Sequence, residues 1–90
     1  MNKQVKLLIS GRVQGVFFRV STRDKAQLLG LNGWVKNMPD GRVAVFASGK
    51  TQAVDEFIAW CHIGPEQAYV NGVKISLMTE QLDQQGFKIL

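Results

Sequence analysis

The apolar residues change their spacing at a glycine-bearing turn near the start of the chain. Between Val5 and Ile9 they alternate with polar residues, which is the period of a strand with one buried face. Beyond Arg19 they recur at helical spacing, which predicts a helix over 20–29 that Gly30 ends in the C′ position. The chain therefore begins with a strand, a turn and a helix, the first part of a β-α-β crossover.

The rest of the chain continues to alternate strands with helices. The predicted elements are a strand over 31–37, a tight turn at Met38–Gly41, a strand over 42–47, a helix that opens at Gly49-Lys50 with Thr51 as its N-cap, a strand over 69–77, a polar loop over 78–85 and a short strand over 86–90. The order β-α-β-β-α-β with a short C-terminal strand predicts an α+β fold of the ferredoxin-like split β-α-β type, with an antiparallel sheet and both helices on one face. Since no repeat or linker interrupts this order, we expect a single domain over 1–90.

The charge of the chain favours a small anionic ligand over a long polyanion. The formal net charge is +4, and the 11 basic residues are spread along the chain without a run of three. Such a spread gives a modest positive field rather than a continuous basic stripe. Most of these residues are expected only to keep the surface solvated.

The cysteine and histidine content excludes two further classes of protein. Cys61 is the only cysteine and His62 the only histidine, so the chain can form neither an internal disulfide nor a zinc set. Cys61 shares an apolar stripe with Val54 and Phe57 on the second predicted helix, which predicts that it packs rather than reacts. Without a signal peptide or an apolar run of membrane-spanning length, the chain is expected to be a complete cytoplasmic protein.

The turn between the first strand and the first helix has the character of an anion site. A glycine-bearing turn before a helix N-terminus directs several backbone N–H groups at one point. Arg19 stands at that N-terminus, where a cation opposes the helix dipole by about 0.3–1 kcal/mol, and a bound anion would offset this cost. An ordinary turn with an arginine pointing into water fits the same spacing equally well, since short glycine motifs often match by chance.

The sequence offers no Ser/His/Asp or Cys/His set and no metal-binding motif, so a polar residue of the second strand becomes the other candidate. Asn37 is in phase with Val35 and Gly33, which places it on the face that the helices cover. A buried amide must find hydrogen-bond partners. It can orient a group beside an anion held by Arg19, or it can simply cap the turn that follows.

Two segments closely resemble the signature motifs of the acylphosphatase family: residues 11–19, GRVQGVFFR, and residues 33–43, GWVKNMPDGRV. The resemblance continues through residues 29–31, 64–68 and 87–89 and covers essentially the whole chain. It implies the ferredoxin-like fold, in agreement with the element order. It also implies hydrolysis of a carboxyl-phosphate anhydride to a carboxylate and inorganic phosphate, with no metal and no cofactor.

The resemblance further implies which residues act. Arg19 and Asn37 are the implied catalytic residues. Arg19 would grip the phosphate and Asn37 would hold the attacking water. The phosphate would also rest on backbone amides of the 14–19 loop, namely Gln14, Gly15, Val16, Phe17, Phe18 and Arg19. The implied partners are a small acyl phosphate and its phosphate product, with no nucleic acid and no membrane, and we expect a monomer.

Two positions depart from the family or vary within it. Ala44 stands where the family usually carries a glutamate, and strand alternation places it on the face away from the helices, so we expect no effect on the chemistry. In some relatives the terminal carboxylate approaches the catalytic arginine, and the sequence leaves open whether that of Leu90 does so.

Two non-catalytic functions compete with hydrolysis. One is a sensor that binds a small anion in the same loop without turnover. The other is a nucleic-acid-binding module of the RNA-recognition type, which requires stacking aromatics on the open face of the central strands. The third strand offers only Phe46 on that face, and the sequence contains no RNA-recognition consensus.

Overall fold

A computed structural model describes residues 1–79 and 85–90. The elements within them are β1 Asn2–Arg12, α1 Phe18–Leu28, β2 Asn32–Asn37, β3 Val43–Lys50, α2 Thr51–Cys61, β4 Tyr69–Leu77 and β5 Phe87–Ile89. This order confirms the predicted ferredoxin-like fold. The predicted loop over 78–85 falls mostly on residues 80–84, which lie outside the described residues. No helix in the described ranges has the length and apolar character needed to cross a membrane.

The five strands form one sheet in the order β4-β1-β3-β2-β5. The four long strands pair in antiparallel fashion, as predicted, with β1 and β3 at the centre. The short β5 instead joins β2 in parallel, with Gly33 opposite Phe87. The sheet is therefore mixed, and β5 ends at the same edge of the sheet as β2.

The core lies between one face of the sheet and the two helices. Alternate residues of β1, namely Val5, Leu7 and Ile9, are fully buried and belong to the same apolar cluster as the inner faces of both helices. On α2 this inner face includes Cys61. Burial raises the pKa of the Cys61 thiol, which therefore stays protonated and packs in the core, as the sequence predicts.

The start of α2 differs from the prediction. Lys50, not Thr51, is the N-cap residue, and no side chain caps the helix. The Thr51 hydroxyl donates instead to Met1 O at 3.2 Å, beside a backbone bond of 3.0 Å from Thr51 N to the same oxygen. β3 runs as far as Lys50, which pairs with Asn2, so the strand passes directly into the helix and the predicted cap is wrong.

Candidate active site

The loop between β1 and α1 presents a row of unpaired backbone donors. Within residues 1–79 and 85–90, no backbone carbonyl accepts a hydrogen bond from the N–H groups of residues 15–20, and the first such bond runs from Ser21 N to Phe17 O at 3.0 Å. Gly15 and Phe17 have positive φ angles of 75° and 63° on either side of Val16. This alternation turns successive N–H groups toward one side of the chain, which suits an anion.

Buried side chains fix the shape of this loop. Val13, Val16 and Phe18 are 1%, 8% and 1% exposed. The ring centroid of Phe18 lies 5.8 Å from that of Trp60, so the start of α1 is tied to α2. Between these anchors Gly15 and Phe17 are exposed, so the anchors fix the loop while these two residues remain open to solvent.

Arg19 lies exposed in the first turn of α1 and has no anionic partner among residues 1–79 and 85–90. The ion pairs of the described residues join Lys3 to Asp55, Arg23 to Asp24 and Arg42 to Asp40. A cation in the first turn opposes the helix dipole by about 0.3–1 kcal/mol, and no acidic residue of that turn offsets the effect. A bound anion would offset it, and the same anion would accept from the neighbouring N–H groups.

The Gln14 side chain ties the loop to the turn between β2 and β3. Its Nε2 donates to Met38 O and to Arg42 O, both at 2.9 Å. These carbonyls stand at the two ends of the turn over 38–42, which a bond from Met38 N to Arg42 O closes at 2.7 Å. Both amide hydrogens of Gln14 are thus used on the turn that follows Asn37.

This role of Gln14 is absent from the sequence-based expectation, which gave the residue only a backbone contact with phosphate. An uncharged two-donor side chain in a glycine turn is compatible with the role. Nothing local, however, specifies partners 24 and 28 residues away. The bonds arise because the sheet brings the ends of β1 and β2 to the same edge.

We expect Gln14→Ala to lower kcat on an acyl phosphate by about 10–10²-fold, since small misplacements of positioning groups have effects of this size. Stability should fall by only about 1–2 kcal/mol, because Met38 O and Arg42 O each keep a backbone donor. Steady-state kinetics and thermal unfolding measure the two effects.

Two further variants test this expectation. Gln14→Glu should be more damaging than alanine, because it places carboxylate oxygens against two carbonyl oxygens. Gln27→Ala is a matched control, since Gln27 is an exposed glutamine on α1. If Gln14→Ala kept the wild-type kcat, the two hydrogen bonds from Gln14 to the turn would have no part in positioning the catalytic groups.

Asn37 ends β2 opposite Val43 and is half-buried. Its Oδ1 is fully buried and accepts no hydrogen bond from residues 1–79 or 85–90, and Thr22 Oγ1 on the buried side of α1 is in the same condition. An unsatisfied buried polar group costs about 1–3 kcal/mol. A cap through Oδ1 would require this oxygen to accept from the turn, so the described structure does not support the alternative in which Asn37 only caps the turn.

Asp40 closes the turn in place of Asn37. Its Oδ1 accepts from Arg42 N at 3.1 Å and its Oδ2 accepts from Arg42 Nε at 2.8 Å. The side-chain hydrogen bond from Arg42, followed by the backbone one, holds the pKa of Asp40 below its usual value. Asp40 is therefore ionised, its carboxylate is engaged in closing the turn, and it is a weak base.

In the described part of the chain no three His, Cys, Asp or Glu side chains gather to hold a metal ion.

The C-terminal residue lies at the same end of the sheet. Leu90 N donates to Val35 O at 2.9 Å, two residues before Asn37. Within the described residues the terminal carboxylate forms no ion pair with Arg19.

Ala44 is fully buried between Leu8 and Lys36 of the neighbouring strands and outside the core cluster under the helices, as the alternation predicts.

Comparisons with known proteins identify the family of the chain. The family model described as acylphosphatase matches residues 5–89. The chain is 48% identical over 90 residues to the acylphosphatase of Alkalilimnicola ehrlichii, with 100% of both chains covered. It is 49% identical over 87 residues to that of Rubrobacter xylanophilus, covering 97% of this chain and 79% of the relative.

A solved structure agrees with these sequence matches. The crystal structure of acylphosphatase from Bacillus subtilis aligns with a TM-score of 0.94 at 32% identity, covering 100% of this chain and 99% of the other. Fold, length and sequence therefore agree along nearly the whole chain. The chain belongs to the acylphosphatase family.

Proposed function

We propose that this chain hydrolyses acyl phosphates, with Arg19 and the N–H groups of the 14–19 loop holding the phosphoryl group and Asn37 positioning the attacking water. Membership in the acylphosphatase family supports the hydrolase activity itself. One observation carries the assignment of residues: the loop whose N–H donors, like Arg19, have no partner in the described part of the chain is tied by Gln14 to the turn that follows Asn37.

The loop supplies electrostatic stabilisation to the phosphoryl group. Phosphoryl transfer spreads charge over the three equatorial oxygens of phosphorus, so positioned donors are the main catalytic resource. The amides of residues 15–20 are fixed by buried anchors, and the Arg19 guanidinium can bind two oxygens at once. These groups need little reorganisation as the charge develops.

Asn37 supplies the position of the nucleophile. Asn37 is half-buried, so a rotation of its amide would bring Oδ1, which has no partner among the described residues, to the surface, where it can accept one hydrogen of a water molecule. A water held in this way has its lone pair free to point at a phosphorus in the neighbouring loop. The bonds from Gln14 to Met38 O and Arg42 O keep the water site and the phosphate site at a fixed separation.

The reaction balances without a protein base. The water oxygen forms a bond to phosphorus while the bond between phosphorus and the acyl oxygen breaks, and its electron pair leaves on the carboxylate. A carboxylate is stable in its ionised form at neutral pH, so it leaves without protonation. The proton of the water passes to a phosphate oxygen of the substrate. The occupied state of Asp40 agrees with a route that uses no carboxylate base.

The open face of the sheet gives little support to nucleic-acid binding. Phe46 is only 1% exposed, so it offers no ring face for a base to stack upon. Its neighbour Trp34, with ring centroids 6.3 Å apart, is covered by the Lys36 ammonium at 5.3 Å from the Trp34 centroid. The anion sensor uses the same loop as the enzyme, so only turnover distinguishes the two.

The purified protein is expected to release benzoate from benzoyl phosphate well above the spontaneous rate, with kcat in the usual range of about 1–10³ s⁻¹. The assay is run with and without EDTA, and the same rate is expected in both.

Inorganic phosphate should also stabilise the fold by about 1.4 kcal/mol at ten times its Kd, since it binds the folded loop alone. Thermal unfolding with and without phosphate measures this term.

The two readouts separate the candidates. A sensor would show stabilisation by phosphate and no turnover. Folded protein without turnover would therefore contradict the enzyme. A rate that disappears in EDTA would contradict the route described above.

A further inference from the structure

Phe17 has a backbone conformation that glycine occupies elsewhere in this chain. In the described ranges, seven glycines have positive φ, and Phe17, with φ 63° and ψ 21°, is the one other residue to do so. The left-handed region is unfavourable for a residue with a Cβ and most unusual for a bulky one. Glycine would meet the backbone requirement of this turn without strain, so the backbone alone does not account for a phenylalanine here.

The ring of Phe17 is also left in solvent. Phe17 is 71% exposed, whereas its neighbours Val16 and Phe18 are 8% and 1% exposed. The Phe17 ring forms none of the aromatic contacts found among the described residues and belongs neither to the buried core cluster nor to the partly buried residues packed against it. An exposed ring forgoes the stabilisation that burial would supply. Folding therefore accounts for neither the strain nor the exposure.

The position of this residue is at the centre of the proposed phosphate site. Phe17 is the N-cap of α1, stands two residues before Arg19 and belongs to the row of unpaired N–H donors. Its carbonyl accepts the first helical bond, from Ser21 N at 3.0 Å, and both of its neighbours are buried, so its backbone is fixed. Val20, beside Arg19, is 42% exposed and adds apolar surface next to the donors. Strained and exposed residues of this kind concentrate at ligand sites.

We infer that Phe17 is a specificity residue that contacts the acyl group, and that this chain favours acyl phosphates with aromatic or other large apolar acyl groups over acetyl phosphate. The inference rests on the proposed function. An acyl phosphate has an anionic end, which the N–H donors and Arg19 hold, and an acyl end, which must project beyond them. An exposed ring on a fixed backbone at the edge of the donor row gives that end an apolar surface, and aromatic acyl groups pair favourably with it.

The test measures kcat/KM for benzoyl phosphate and for acetyl phosphate in the wild type and in Phe17→Asn. Asparagine tolerates the left-handed conformation, so this change removes the ring while keeping the backbone. We expect kcat/KM for benzoyl phosphate to fall roughly fivefold to tenfold, the size of one aromatic contact. Because the backbone N–H of Phe17 belongs to the donor row, the deciding quantity is the ratio of the two kcat/KM values, which should shift by the same fivefold to tenfold toward acetyl phosphate.

Two variants serve as controls. Phe17→Tyr keeps the ring and should retain the wild-type ratio of the two substrates. Leu28→Asn removes an equally exposed apolar residue, 79% exposed, at the far end of the same helix and should leave both values unchanged. Thermal unfolding of Phe17→Asn should show a stability slightly above that of the wild type, because asparagine relieves the left-handed strain and the exposed ring contributes little burial.

The outcomes separate this inference from the function on which it rests. If the wild type hydrolysed both substrates and Phe17→Asn lowered both equally, or lowered neither, the ring would have no role in acyl recognition and the proposed hydrolysis would stand. A folded wild type that hydrolysed neither substrate would overturn the proposed function and this inference together.

Discussion

Arg19→Ala is expected to lower kcat/KM for benzoyl phosphate by about 10³-fold or more. Removal of one neutral oxyanion donor typically costs about 10²–10³ in rate, and a guanidinium contributes a full charge and two donors. The same substitution should increase the stability of the fold. Arg19 has no ion pair among the described residues and opposes the helix dipole, so alanine should raise the free energy of unfolding by a few tenths of a kcal/mol, up to about 1 kcal/mol.

The measurements are steady-state kinetics and thermal unfolding with and without inorganic phosphate. Phosphate should stabilise the wild type and leave Arg19→Ala almost unchanged. Arg23→Ala is the matched control, since Arg23 lies on the same helix and pairs with Asp24 in solvent. It should keep both the activity and the phosphate response. An Arg19→Ala protein that stayed within tenfold of the wild type, or kept its response to phosphate, would contradict the assignment.

Much of the fold follows from the periodicity of apolar residues. The strand predicted over 69–77 is β4, Tyr69–Leu77, to the residue, because turn-forming residues mark its start. β1 was predicted only over its apolar centre, 5–9. It runs from Asn2 to Arg12 because β3 and β4 pair with its polar ends as well. Pairing between strands is set by the sheet, and local pattern does not reveal it.

The terminal strand illustrates the same limit. A three-residue strand such as β5 carries too few residues to specify its partner, and either edge of the sheet could in principle receive it. The structure pairs it in parallel with β2, helped by the Asn32 side chain, whose Oδ1 accepts from Gly86 N at 2.9 Å. The two residues of that contact are 54 positions apart in the chain, so no short stretch of sequence predicts it.

The candidate site divides in a similar way. The glycine-bearing turn and Arg19 at the helix N-terminus were predictable because they are local features, whereas anion binding by the 14–19 loop stays a prediction. The amide bonds that join Gln14 to the following turn were not predictable, because they depend on two distant segments meeting. The choice for Asn37 between a turn cap and a free amide was also settled in three dimensions, by Asp40 accepting from Arg42 N.

Asn37→Ala is expected to abolish most of the activity while sparing phosphate binding. Losing the group that positions the nucleophile should lower kcat by about 10²–10³-fold, because a positioned reactant has a large entropic advantage over one drawn from solvent. The variant should still be stabilised by inorganic phosphate, since the donor row and Arg19 are untouched. Its stability should not fall through any lost bond to Oδ1, because this buried oxygen has no partner to lose in the part of the chain that the structure describes.

Asn32 provides the converse experiment at the other end of the same strand. Its Oδ1 accepts a hydrogen bond from Gly86 N at 2.9 Å, so Asn32→Ala should lower stability by about 0.5–1.5 kcal/mol and leave kcat unchanged. The same substitution at the two ends of β2 thus separates a structural amide from a catalytic one. If Asn37→Ala lost the phosphate response as fully as Arg19→Ala, Asn37 would be part of the phosphate site. A kcat near that of the wild type would instead mean that the unsatisfied oxygen of Asn37 holds no water that reacts.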